Sequence, residues 1–201
     1  TITTPRFAVV DGAAVETDTF FQAGDAGNLM ILASESIFAS NSIISAQVNP
    51  EASGNGGNLT IETTQFVAEN NARISTATGG KGDGGNLNVE TNDLIVRSGG
   101  QVVTGTQNEG IGGDLTVTVS DTVRINGVSP TIGVSSGLFT QTLGEGRAGN
   151  LNLRAENLIV EDGGKLSVSG TVPPNMRSPD ADLSNIGNAG NLIVNADELH
   201  L

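Results

Sequence analysis

A four-residue unit, Gly/Ala-Gly-Asn/Asp-Leu, recurs along the chain at Ala26-Gly27-Asn28-Leu29, Gly56-Gly57-Asn58-Leu59, Gly84-Gly85-Asn86-Leu87, Gly112-Gly113-Asp114-Leu115, Ala148-Gly149-Asn150-Leu151 and Ala189-Gly190-Asn191-Leu192. Measured between the Asn or Asp positions, the intervals are 30, 28, 28, 36 and 41 residues. Self-similarity at such a spacing belongs to repeat architectures, in which each unit buries its apolar face only against its neighbours. No other feature constrains the fold as strongly.

Within each repeat the apolar period is two, which is the period of strands. Leu59, Ile61 and Thr63 alternate with Thr60 and Glu62, and Leu87, Val89 and Thr91 alternate with Asn88 and Glu90. A second short strand is expected from Phe66 and Ala68, Leu94 and Val96, and Leu158 and Val160, slipping by one residue to Val123 and Ile125 in the Asp114 repeat. A third follows a turn such as Ser98-Gly99-Gly100 or Asp162-Gly163-Gly164 and carries Ile74, Thr76 and Thr78, Val102, Thr104 and Thr106, or Leu138, Thr140 and Thr142. Phe7, Val9, Asp11, Gly12 and Val15 repeat the spacing of Leu94, Val96, Ser98, Gly99 and Val102, so the chain starts in mid-repeat, and Leu199-His200-Leu201 stops in one. With no capping element at either end, residues 1–201 are expected to be one repeat domain cut from a longer protein.

Three strands per repeat of roughly 28 residues, without helices, bury a continuous face if the chain coils and each strand pairs with its counterpart one turn on. The expected fold is therefore all-β: a single-stranded parallel β-helix of about seven coils, on the order of 30–35 Å long at the strand spacing of about 4.8 Å. Asn28, Asn58, Asn86, Asn150 and Asn191 would then stack at one corner, bonding along the axis through their amides in a left-handed turn conformation, with the preceding Gly residues supplying positive φ. Asp114, which accepts but cannot donate, is expected to interrupt that ladder. Thr76, Thr104 and Thr140 are expected to bond to one another inside the coil.

The runs Gly57-Asn58-Leu59-Thr60-Ile61-Glu62-Thr63, Asn71-Ala72-Arg73-Ile74-Ser75-Thr76-Ala77-Thr78-Gly79 and Gly84-Gly85-Asn86-Leu87-Asn88-Val89 resemble the repeats of filamentous-haemagglutinin-type exoproteins of two-partner secretion systems, in their cyanobacterial version. The resemblance spans nearly the whole chain. It implies a right-handed β-helical shaft, passed through an outer-membrane secretion transporter and held at or released from the surface of a Gram-negative-type bacterium. Such shafts serve adhesion or hold other domains at a distance.

The chain has 9 Lys plus Arg against 22 Asp plus Glu, a net charge of −13, which disfavours nucleic acid as a partner. No apolar run approaches the ~20 residues of a membrane-spanning helix, and zero Cys excludes thiolate chemistry. Gly79-Gly80-Lys81-Gly82-Asp83-Gly84-Gly85 has neither the nine-residue recurrence of a calcium-binding repeat nor the Lys-Ser/Thr and following helix of a phosphate loop, and reads as a corner. Acidic pairs at Glu161-Asp162 and Asp180/Asp182 fit a solvated surface at least as well as glycosidic acid–base chemistry, given no Trp, no Tyr and no cationic cluster. His200 is expected to point outward and alone. The chain is thus expected to be non-catalytic, without metal or cofactor. The alternatives are a β-helical carbohydrate-active enzyme, a passive stalk presenting a toxin or effector domain and, less favoured, an ice-binding solenoid with outward Thr ranks.

What varies between repeats is where recognition is expected. The two long intervals hold insertions near 127–137 and 171–187, so Pro130, Thr131, Pro173, Pro174, Arg177 and Asp180 are the candidate partner contacts, projecting from the shaft toward a receptor that the residues do not identify. A tolerated insertion without any partner is the equal alternative, because lengthening a surface loop costs little.

Overall fold

The computed structural model describes residues 1–21, 23–170 and 187–201. The odd-numbered strands β1 (Ile2–Val10), β3 (Leu29–Ser40), β5 (Leu59–Glu69), β7 (Leu87–Arg97), β9 (Leu115–Asn126), β11 (Leu151–Glu161) and β13 (Leu192–His200) form one sheet in sequence order. The even-numbered strands β2 (Ala14–Glu16), β4 (Ile43–Ser45), β6 (Arg73–Ser75), β8 (Gln101–Thr106), β10 (Gly137–Thr142) and β12 (Lys165–Gly170) form a second. Every neighbouring pair is parallel, and each strand pairs with its counterpart one repeat away. No helix occurs among the described residues. The chain is a parallel β-helix with seven stacked turns in its larger sheet.

Two of the three expected strands are one. In β5 and β7, Leu59–Glu62 pair with Leu87–Glu90 and Gln65–Ala68 with Asp93–Val96, and the pairing skips the residues between. The register is the same on both sides of the skipped residues, and the bend there re-phases the side chains, so that Leu59 and Ile61 on one side and Phe66 and Ala68 on the other are all buried. The strand bends without giving up its ladder. β3 and β9 are each one residue longer than β5, β7 and β11, and the extra residue is absorbed at the bend: Leu94 pairs with Val123 and Val96 with Ile125, the one-residue slip read from the sequence.

The interior is a set of stacked columns. Ile31, Ile61, Val89, Val117 and Leu153 form one, and Ile37, Phe66, Leu94, Val123 and Leu158 another, each residue at most 2% exposed. Fully burying such a side chain contributes roughly 1.5–3 kcal/mol. In the last turn the same phase is uncovered. Leu192 and Leu199 pair with the fully buried Leu151 and Leu158, yet are 45% and 54% exposed.

Candidate functional site

The Asx column is built on backbone donors. The Oδ1 of Asn28 accepts the backbone N–H of Asn58 at 2.8 Å, and the series continues through Asn58 to Asn86 (2.9 Å), Asn86 to Asp114 (2.9 Å), Asp114 to Asn150 (2.7 Å) and Asn150 to Asn191 (3.0 Å). The following Leu donates its N–H to the carbonyl of the next Asx in every turn, as Leu59 does to Asn86 at 2.9 Å. Each rung needs a side-chain acceptor and a main-chain donor, and a carboxylate supplies the acceptor as well as an amide. Asp114 therefore continues the ladder that it was expected to interrupt, and it takes a second bond from Asn150 Nδ2 at 3.0 Å.

The conformational expectation for this corner also changes. None of the ladder residues has positive φ, and neither do Gly27, Gly57, Gly85, Gly113, Gly149 or Gly190. Glycine is required by contact between turns: a Cβ at Gly57 would run into the carbonyl of Gly27, one at Gly85 into that of Gly57, and one at Gly113 into that of Gly85. Positive φ belongs to the opposite corner, at Asp11-Gly12, Asn70-Asn71, Ser98-Gly99 and Asp162-Gly163. There each of these turns carries a local bond, from Ala13 N–H to Val10 O, Ala72 to Glu69, Gly100 to Arg97 and Gly164 to Glu161, at 2.9–3.0 Å, beside main-chain bonds between turns such as Gly12 N–H to Asn41 O at 2.6 Å and Asn71 N–H to Ser98 O at 3.2 Å. Left-handed φ at two successive residues with a bond across them is the geometry of a hairpin turn.

A second ladder escaped the sequence reading. Asp25 Oδ1 accepts Asn55 N–H at 2.7 Å, Asn55 Oδ1 accepts Asp83 N–H at 2.9 Å, and Asp83 Oδ1 accepts Ile111 N–H at 2.7 Å. The signal was present: Asp25, Asn55 and Asp83 each stand three residues before a ladder Asn. It ends at Ile111, which has no acceptor to offer. The apparent phosphate or calcium motif around Lys81 and Asp83 is part of this corner, with Lys81 at 3.8 Å from Glu109.

The threonines face inward, as their phase with Ile74 and Leu138 implies, and Thr76, Thr78, Thr104, Thr106, Thr140 and Thr142 are all buried. Thr76, Thr104 and Thr140 do not bond one another as expected. Thr76 Oγ1 donates to Gly85 O at 2.5 Å, Thr140 Oγ1 to Gly149 O at 2.8 Å and Thr17 Oγ1 to Gly27 O at 2.5 Å, tying the smaller sheet to the ladder corner of the same turn. Thr104 Oγ1 is buried without a partner. The outward Thr rank that ice binding would use is not formed by these residues.

Of the candidate contact loops, 127–137 does not simply project. Val128 and Ser135 form an antiparallel bridge, Ser129 Oγ caps the N–H groups of Thr131 and Ile132, and Ser136 Oγ accepts Gly99 N–H at 2.9 Å. Asn71 Nδ2 reaches Thr131 Oγ1 at 3.3 Å and Gln101 Nε2 reaches Ser135 O at 3.2 Å. The insertion is a small hairpin folded back onto the turn corner of earlier coils, with Pro130, Thr131 and Ile132 left exposed at its tip. Pro173, Pro174, Arg177 and Asp180, with most of the second insertion, lie outside the described residues.

One extended groove runs along the outside of the larger sheet, where its strands bend, with a bulge in β3 and in β9. Three adjoining clefts compose it: Thr3 to Thr64 across β1, β3 and β5; Glu62, Glu90, Asn92, Thr118 and Ser120 across β5, β7 and β9; and Thr118, Ser120, Arg154, Glu156, Asn195 and Asp197 across β9, β11 and β13. The last has a volume of about 740 Å³. Glu62 and Glu90 are register partners on neighbouring strands. Among the described residues neither has an ion pair, and neither does Arg154; the pairs present are Arg6–Glu35, Lys81–Glu109, Arg97–Glu69, Arg124–Glu161 and His200–Glu198. Burial alone pulls the guanidinium pKa of Arg73 below its ordinary value, and Arg73 lies on the smaller sheet, outside this groove.

The sequence-level acidic pairs are not brought into a site: Glu161 is held by Arg124 at 2.7 Å, Asp162 occupies a left-handed turn position, and Asp180 and Asp182 lie outside the described residues. No group of three or more His, Asp or Glu able to hold a metal exists among the described residues. No family model matches the chain, and neither a curated protein nor a solved structure matches it.

Proposed function

We propose that the chain is a structural and adhesive shaft, a non-catalytic segment of a secreted filamentous surface protein of the haemagglutinin type that its repeats resemble. On this reading it crosses the outer membrane through a dedicated transporter and is held at the surface of a Gram-negative-type cell. The observation that carries the reading is the unbroken Asx ladder from Asn28 to Asn191: the residues under the strongest constraint all serve axial stacking. Such an investment suits a rod, whose length and stiffness are its use. The test is attachment. Cells displaying the full-length protein should adhere to host cells, matrix or one another more than cells lacking it, and equal attachment refutes the adhesive half of the reading.

A second reading, a β-helical carbohydrate-active enzyme, draws on the groove and its two carboxylates. Glu62 and Glu90 are stacked in one column along the shaft, on the same side of the groove. Acid–base cleavage of a glycosidic bond wants two carboxyl groups flanking the bond. Release of reducing sugar by the purified chain, abolished by Glu90→Gln, would establish the enzyme; no release leaves the shaft.

A further inference from the structure

We propose that Asn126-Gly127 is a self-modification site, at which the chain closes a succinimide ring, hydrolyses it to isoaspartate and so loosens the hairpin at 127–137. The inference goes beyond the shaft reading and does not rest on it.

The chain contains two Asn-Gly pairs, Asn55-Gly56 and Asn126-Gly127. Asn followed by Gly is the pair most prone to this reaction, because no Cβ shields the attacking main-chain nitrogen. The fold treats the two pairs oppositely. Asn55 Oδ1 accepts Asp83 N–H at 2.9 Å, Asn55 N–H donates to Asp25 Oδ1 at 2.7 Å, and the would-be nucleophile, Gly56 N, donates to Asp83 O at 2.8 Å. A Cβ at Gly56 would come within 2.6 Å of Gly85 N and 2.9 Å of Thr76 O, so that peptide has no room to turn. Asn126 Oδ1, by contrast, is buried without a partner. Gly127 N–H reaches Glu161 O only at 3.4 Å, outside the usual range of about 2.7–3.2 Å. A Cβ at Gly127 would meet nothing closer than Ser98 N at 3.7 Å, and both residues are partly exposed, so the peptide can turn and water can reach it.

The chemistry needs only water. Gly127 N gives up its proton and attacks Asn126 Cγ; the new C–N bond closes the ring, the Cγ–Nδ2 bond breaks, and the leaving nitrogen takes up a proton and departs as ammonia. Water then opens the ring at the side-chain carbonyl to give aspartate, or at the main-chain carbonyl to give isoaspartate. Nothing is oxidised or reduced. Isoaspartate inserts a methylene into the main chain next to Gly127, whose carbonyl accepts Ser136 N–H at 3.0 Å and closes the hairpin. Ser136 Oγ in turn accepts Gly99 N–H at 2.9 Å, so this tie to the corner is the one that loosens.

The experiment is to age the purified chain in mildly alkaline buffer, folded and in urea, and to follow both Asn-Gly peptides by mass spectrometry, with electron-transfer fragmentation separating isoaspartate from aspartate. In the folded chain Asn126 should convert about tenfold or more faster than Asn55, which reacts only after local opening; in urea the two should convert at similar rates. Hydrogen exchange at Gly99 N–H, read by NMR, should be faster in the converted protein, and ageing should leave it unchanged in Asn126→Gln, whose longer side chain closes a ring far more slowly. The site is overturned if Asn55 keeps pace with Asn126 in the folded chain, or if Asn126 survives while the urea sample converts. Unchanged exchange at Gly99 in converted protein overturns the loosening.

Discussion

The two corners of each turn solve the same problem by different physics. At the Asx corner the chain is fixed by the turn above and the turn below: Oδ1-to-N–H rungs run along the axis, and glycines let one backbone lie against the next. At the opposite corner main-chain bonds between turns, such as Gly12 N–H to Asn41 O, are joined by a local lock of left-handed residue pairs and bonds across three residues, such as Arg97 O to Gly100 N–H, and no side-chain ladder is needed. The side-chain ladder must be met by an acceptor at the same place in every turn, Asn or Asp. A local constraint can be met by Asp-Gly, Asn-Asn or Ser-Gly in turn, and a longer excursion can replace it, as the hairpin at 127–137 does. The difference teaches which repeats in a solenoid sequence are compulsory.

Substitutions can break or sharpen this contrast. The largest effect is expected for Gly85→Ala, whose Cβ meets the Gly57 carbonyl, a backbone atom that cannot step aside. A loss of roughly 3 kcal/mol or more, or failure to fold, should appear in denaturant melts. At the other corner Gly12 has open space around its would-be Cβ and φ of +82°, so Gly12→Ala should lose only the left-handed penalty of about 1–2 kcal/mol. Equal losses at the two sites would erase the distinction.

Next in size, Asn86→Ala leaves the Asp114 N–H without its acceptor and should lower stability by about 1–2 kcal/mol. Asp114→Asn, which keeps an acceptor, should stay within about 0.5 kcal/mol of the parent. A large loss there would mean that the carboxylate's charge, and not its acceptor, holds that rung.

The smallest and most discriminating pair lies inside the coil. Thr76→Val removes a bond to Gly85 O and should destabilise by about 1 kcal/mol, whereas Thr104→Val removes an unpartnered buried hydroxyl and should be neutral or stabilising. The same sign at both positions would contradict the assignment of these hydroxyls to the corner carbonyls.

The sequence disclosed spacing far better than it disclosed partners. The recurrence of Asn-Leu and the inward phase of Leu59, Ile61, Phe66 and Ile74 were enough for a parallel coil, because burial and period two leave a repeating chain few other arrangements. The fused strand was not legible, since a bend within one strand and a break between two both appear as a shift of phase between Thr63 and Phe66. The roles of Gly57 and Gly85 were misassigned for a related reason: glycine marks a corner whether it is needed for φ or for close approach, and only the neighbouring turn tells which. Asp114 looked like a defect because the ladder was imagined between side chains, when its donors are main-chain. The groove gave no warning, being lined by ordinary Thr, Ser and Glu positions at the bend of each strand.

The stacking register itself is the claim on which the rest depends. With no native Cys, nitroxides can be attached at Met30→Cys paired in turn with Thr116→Cys, Asn152→Cys and Ile193→Cys, positions that the pairing places in one outward column. Pulsed dipolar spectroscopy should return distances near 14, 19 and 24 Å, increasing by one strand spacing of about 4.8 Å per turn. Distances that fail to rise in equal steps with turn number would contradict the β-helix.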